Sequence, residues 1–150
     1  VSAPPAGYPA GLGRRLLSLL YETLLLAAVL LAGMVPLALL TGDWDVTLKR
    51  GLIQLSLLAL AGLYFVWQWT HGGQTLAMKT WRIRLVAREG AALSTGRALR
   101  RYIWALVSVG LGGTGFAWAL LDRERQFLHD RLAGTRIIFV PATTASPPPR

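Results

Sequence analysis

Residues 16–40 form an apolar run of 25 in which Glu22 is the one charged side chain. A helix of about 20 apolar residues crosses the hydrocarbon core of a bilayer. The run therefore predicts a membrane-spanning helix, with Pro36 near its far end. Composition agrees: 53% of the 150 residues are hydrophobic and 15% charged, where globular chains carry about 25% charged residues. Mean hydropathy is +0.45. A cleaved signal peptide is the competing explanation, because "GRRLLSLL" opens on two arginines. Such peptides have apolar stretches of roughly 7–15 residues. This run is longer and Glu22 interrupts it, so a retained helix is expected.

A second run, residues 51–69, holds 19 residues and no charge. The aromatics of "YFVWQW" gather at its end, as in an interfacial belt. The linker "TGDWDVTLKR" is too short for a domain, so the two runs predict an antiparallel helical hairpin. Residues 1–12 and 141–150 are rich in Pro and Ala and read as disordered tails. They flank a single membrane domain over residues 13–140.

The net charge is +9 and the pI near 11.3. The basic residues flank apolar runs instead of lining a soluble helix, which fits anionic lipid headgroups and argues against nucleic acid. Residues 71–101 carry Lys79, Arg82, Arg84, Arg88, Arg97, Arg100 and Arg101 against one acid, Glu89. Arg14 and Arg15 flank the first run. By the excess of positive charge in short cytoplasmic segments, the N-terminus and the 71–101 loop are expected in the cytoplasm. The absence of Cys excludes disulfides and thiolate chemistry.

Within that loop Trp81, Ile83 and Leu85 alternate with Arg82, Arg84 and Val86, the period of a half-buried strand. Glu89-Gly90 supplies a turn, and "TRIIFV" at residues 135–140 supplies a second strand. The two predict one small cytoplasmic sheet. That pairing bears on the third apolar run, residues 102–121. A single crossing would export Arg123, Arg125, Arg131 and Arg136 and separate the strands. Gly110, Gly112, Gly113 and Gly115 allow a break. Two halves of about nine residues, each about 13 Å long, predict a re-entrant or interfacial helical hairpin in preference to a third span. Broken backbone at that depth must pack against protein.

Arg15 and Glu22 lie seven apart, so they share a helix face with Ser18 between them. An ionisable group inside a membrane normally faces the protein and is paired. Glu22 is thus either part of a buried polar cluster or a protonated or snorkelling residue with a packing role. His129-Asp130 lacks further ligands at metal spacing, and His71 stands alone at an interface. Gly72, Gly73 and Gly134 read as turns. No triad, nucleotide loop or zinc motif is present, so neither an enzyme nor a cofactor is expected.

These residues resemble the RDD family of small bacterial membrane proteins, named for one arginine and two aspartates. "RRLLSLLYETLLL" is similar to the family's first helix, with Arg15 at the arginine and Glu22 at the first aspartate. "GGQTLAMKTWRIRLV" resembles its Gly-Gln-Thr-Leu-Gly-Lys stretch, through Gly73, Gln74, Thr75 and Lys79, with Ala77 replacing a usual glycine. "LHDRLAGTRIIFV" resembles its C-terminal motif, with Asp130 at the second aspartate beside His129, Gly134 and Thr135. The resemblance implies a mainly α protein of a bacterial inner membrane in which Arg15, Glu22 and Asp130 meet at the cytoplasmic end, Glu22 held by Arg15. It also implies transport of small cations or protons, suggested for some members. With two full spans, a carrier would need to oligomerise. The other reading is a non-catalytic module that binds a membrane-protein partner through its basic strand.

Overall fold

A computed structural model describes residues 8–122 and 126–141. Helix α1, Leu12–Leu40, and helix α2, Val46–Thr70, form the expected hairpin across a short turn. Asp45 starts α2 by accepting hydrogen bonds from the Thr47 and Leu48 amides at 2.9 and 3.1 Å, groups that the first turn leaves without helical partners. Burial in α1 is inverted relative to a soluble helix. Its buried residues are Arg15, Ser18 and Glu22, while Leu20, Leu24 and Leu31 are each 64% exposed. Water would penalise that leucine face, and hydrocarbon would not. Among the described residues these two helices are long and apolar enough to cross a membrane.

The third run folds differently in detail. Helix α4, Thr95–Gly110, starts seven residues before the apolar stretch, where the Ser94 hydroxyl accepts from the Arg97 amide. It has 16 residues, not the nine expected for half a hairpin. Gly112 and Gly113 then adopt φ of +70° and +81°, a left-handed pair open to glycine. The short helix α5, Thr114–Ala117, and a 3₁₀ turn, Trp118–Leu120, leave at 105° to α4. The chain comes back along α4 as helix α6, Leu128–Ala133. Arg123 and Arg125, counted above with the exported charges, lie outside the described residues.

The two expected strands are β2, Ile83–Ala87, and β3, Thr135–Phe139, antiparallel with Leu85 opposite Ile137. A third strand, β1, Tyr8–Pro9, pairs with the other edge of β3, giving the order β1-β3-β2. Residues 8–12 are therefore not tail: they form this strand and the entry to α1. Two residues including a proline give no strand pattern in sequence, yet proline is tolerated on an edge. Ile83, Leu85, Ala87 and Ile137 pack with Trp69, Ala98, Tyr102 and Phe127 in one core joining sheet and helices. The Tyr102 hydroxyl donates to the Leu58 carbonyl at 2.7 Å, tying α4 to α2.

Between α2 and β2 lies helix α3, Leu76–Thr80. Gly73, just before it, has φ of +70°, and a Cβ there would stand 2.4 Å from the Leu85 carbonyl oxygen. Its own carbonyl accepts from the Leu85 amide at 2.7 Å, so neither backbone can retreat without loss. Gly73→Ala should therefore destabilise the protein by about 2 kcal/mol. Thermal unfolding in detergent measures this, and an unchanged melting temperature would show that the turn relaxes freely.

Candidate polar site at the helix–sheet junction

Glu22 is 7% exposed in the apolar body of α1. Its carboxylate accepts from the Tyr64 hydroxyl at 2.6 Å and from the Thr75 hydroxyl. Thr75 also caps α3, accepting from the Met78 amide at 3.2 Å. The neighbouring Gln74 side chain donates to the Ile83 carbonyl at 2.8 Å. The Gly73-Gln74-Thr75 stretch thus fastens the end of α2 to strand β2 and to α1 at once. Lys79 is exposed in the last turn of α3, where a cation suits the helix's negative end. Ala77 is fully buried, so the methyl that replaces the usual glycine is accommodated.

Glu22 is held by hydroxyls rather than by Arg15, which corrects the pairing expected from sequence. Arg15, 1% exposed, donates to the Ile137 carbonyl at 3.2 Å and lies in the field of Asp130 and Asp122. Asp130 is completely buried and takes a different arginine. Arg101 Nε donates to its Oδ1 at 2.7 Å. The Arg101 guanidinium also lies 4.2 Å from the centre of the Trp69 ring, a cation–π contact. Thr135 donates to the Asp130 main-chain carbonyl at 3.2 Å, and Gly134 ends α6 in a left-handed turn leading into β3.

His129 sits against the rings of Phe116 and Phe127, with centroids 5.1 and 5.4 Å away. Burial pushes its pKa down to about 4; Asp130 opposes this shift and Arg101 adds to it. The imidazole is therefore neutral at pH 7. Behind this junction, Asp122 accepts from the Gln126 amide at 2.9 Å and forms an ion pair with Arg131, whose Nε lies 3.0 Å away.

Sequence reasoning placed Arg15, Ser18 and Glu22 on one face, and they are the buried face. It missed Arg101, counted there as one of seven loop cations, and Tyr64, assigned to an interfacial belt. The available signal was Arg101's position at the start of an apolar run, where a charge needs a partner. A cleft of about 430 Å³ is lined by Arg15, Glu22, Arg101 and His129 at one end and by leucines at the other, a size within the roughly 300–1,000 Å³ of ligand sites. No group of three or more metal-ligating side chains occurs among the described residues.

Neither the curated proteins nor the solved structures contain a match to the chain. The RDD family pattern matches residues 9–134, which include Arg15, Glu22 and the His129-Asp130 pair. Matched over most of its length, the chain belongs to the RDD family.

Proposed function

We propose that this protein is a small-cation or proton transport component of a bacterial inner membrane, with Glu22 as the group that binds the ion. The observation that carries this reading is the setting of Glu22. It is a carboxylate inside a leucine-faced helix, bound by two hydroxyls and lining a cleft. Hydroxyl partners leave it able to exchange a proton or take a cation without first breaking an ion pair. A carboxylate locked to an arginine would not have that freedom. Two spans are few for a carrier, and the exposed leucines of α1 offer a surface for further copies as well as for lipid.

Purified protein in vesicles loaded with a pH-sensitive dye should pass protons when a Na⁺ or K⁺ gradient is imposed. Glu22→Gln, which keeps the shape and removes the charge, should abolish that flux. Flux unchanged by Glu22→Gln removes Glu22 from the role. The second reading is a non-catalytic module that docks a membrane-protein partner. It is favoured by the exposed Arg82, Arg88 and Arg136 around the sheet, and predicts no flux in either protein.

The proposed orientation puts the sheet and both termini in the cytoplasm, with α4 and α5 dipping into the membrane and returning. The return of α6 onto α4 supports it, since Asp130 meets Arg101 at the end of α4 where the run begins. Reporters fused at both termini and at Gly90 should all read cytoplasmic. A periplasmic C-terminal reporter would leave three full spans.

A further inference from the structure

Arg88, Arg131 and Arg136 come from the end of β2, from α6 and from β3, and the turns at the end of the sheet bring them together. The Arg88 amide donates to the Gly134 carbonyl at 3.0 Å. The Gly134 amide in turn donates to the Arg131 carbonyl at 3.1 Å, where α6 ends and β3 begins. Arg136 stands opposite Val86 and reaches toward the turn at Gly90, where a Cβ would lie 3.8 Å from its Nη2. With Gln126 and Thr135, the three arginines line a notch of about 50 Å³.

The charges around this notch do not cancel. Arg131 is matched by Asp122, which lies 3.0 Å from its Nε. Glu89, next to Arg88 in the chain, is taken by Arg97. Among the described residues, Arg88 and Arg136 make neither an ion pair nor a side-chain hydrogen bond. Their two positive charges are therefore left over, beside a space whose described lining holds no carboxylate. Like charges gathered in this way repel, and an anion between them relieves the repulsion. A guanidinium presents a planar fork of donors that fits the oxygens of a phosphate. Forks from three directions suit a tetrahedral group with three free oxygens better than a flat carboxylate. A phosphomonoester has those oxygens and a charge of about −1.5 to −2 at pH 7, close to the charge left over. A phosphodiester offers two free oxygens and a single charge.

We infer that this notch is a binding site for a phosphomonoester group. The phosphate oxygens accept from the Arg88 and Arg136 guanidiniums and from the amino groups of Arg131, whose Nε is turned to Asp122. The neighbouring surface favours lipid as the source of the group. Leu120 and Leu121 come immediately before Asp122 and are 75% and 82% exposed, and Leu132 beside Arg131 is exposed as well. Hydrocarbon accommodates such leucines and water does not. The notch thus stands at the edge of a membrane-facing surface, where a lipid such as phosphatidic acid carries its phosphate. The inference does not depend on ion transport by Glu22, and its test reads binding alone.

The full chain, purified in a non-ionic detergent, is titrated calorimetrically with dioctanoyl phosphatidic acid, dioctanoyl phosphatidylglycerol, glycerol 3-phosphate and succinate. Saturable binding of phosphatidic acid is expected, tighter than that of phosphatidylglycerol or succinate by about tenfold or more. Arg88→Gln/Arg136→Gln should weaken it by about tenfold or more while the melting temperature holds. Lys79→Gln/Arg82→Gln removes the same charge outside the notch and should leave binding nearly unchanged. Glycerol 3-phosphate bound as tightly as phosphatidic acid supports the site and makes its source a soluble phosphate ester; much weaker binding makes the source lipid. Failure of both phosphomonoesters to bind, or an equal loss in the two double variants, overturns the site. Phosphatidylglycerol or succinate bound as tightly as phosphatidic acid overturns the monoester. If Arg88→Gln/Arg136→Gln does not fold, native mass spectrometry of the unmodified chain with an equal mixture of the two lipids decides: retention of phosphatidic acid over phosphatidylglycerol supports the inference, and no preference overturns it.

Discussion

Arg101→Leu should lower stability by about 3–5 kcal/mol, the range for removing one partner of a buried ion pair. Asp130 is fully buried and Arg101 Nε lies 2.7 Å from its Oδ1; without that arginine the carboxylate keeps its desolvation penalty and loses a close compensating charge. Asp130→Leu should cost a similar amount by stranding Arg101, which is 6% exposed under the Trp69 ring. The double change Arg101→Met/Asp130→Leu should cost much less than the sum, since no charge of the pair remains and apolar atoms fill the space. Unfolding in detergent at fixed pH measures the cycle. Additive losses would mean that the two residues act as separate fasteners and that the pair does not hold α6 on α4.

The same cycle run on Arg15 and Glu22 should give weaker coupling, about 1 kcal/mol or less, because hydroxyls and not the guanidinium hold Glu22. This contrast shows what sequence could and could not reach. The buried face of α1 was legible because helical spacing alone puts Arg15, Ser18 and Glu22 in line. The pairing of β2 with β3 was legible because alternation exposes a strand and a sheet edge needs a neighbour. Which arginine meets which carboxylate was not legible. That depends on how far α6 returns along α4, and the return is set by a bend at Gly112–Gly113 and a helix that starts at Thr95. Tyr64 stayed hidden for a similar reason. Its place in "YFVWQW" looks interfacial, and only the packing of α2 on α1 turns its hydroxyl onto a carboxylate 42 residues away. Strand β1 carries too few residues for any periodicity.

Acid should destabilise the junction through His129, and the size of the effect follows from its burial. Its pKa in the folded protein is about 4, below the ordinary value near 6.5 that the unfolded chain regains. Between those two values the unfolded chain binds more protons, so stability rises with pH. The contribution is whole above about pH 6.5 and is lost progressively as pH falls to about 4, a total of about 3 kcal/mol. Asp130 and Arg101 both act on the ring, so the unmodified protein alone does not isolate the imidazole. His129→Leu removes it and keeps an apolar neighbour for Phe116 and Phe127. Over pH 4 to 6.5 the variant's stability should fall less steeply than that of the unmodified protein, the two curves separating by about 3 kcal/mol. Parallel curves would mean that His129 titrates normally, with water reaching the ring between the two phenylalanines.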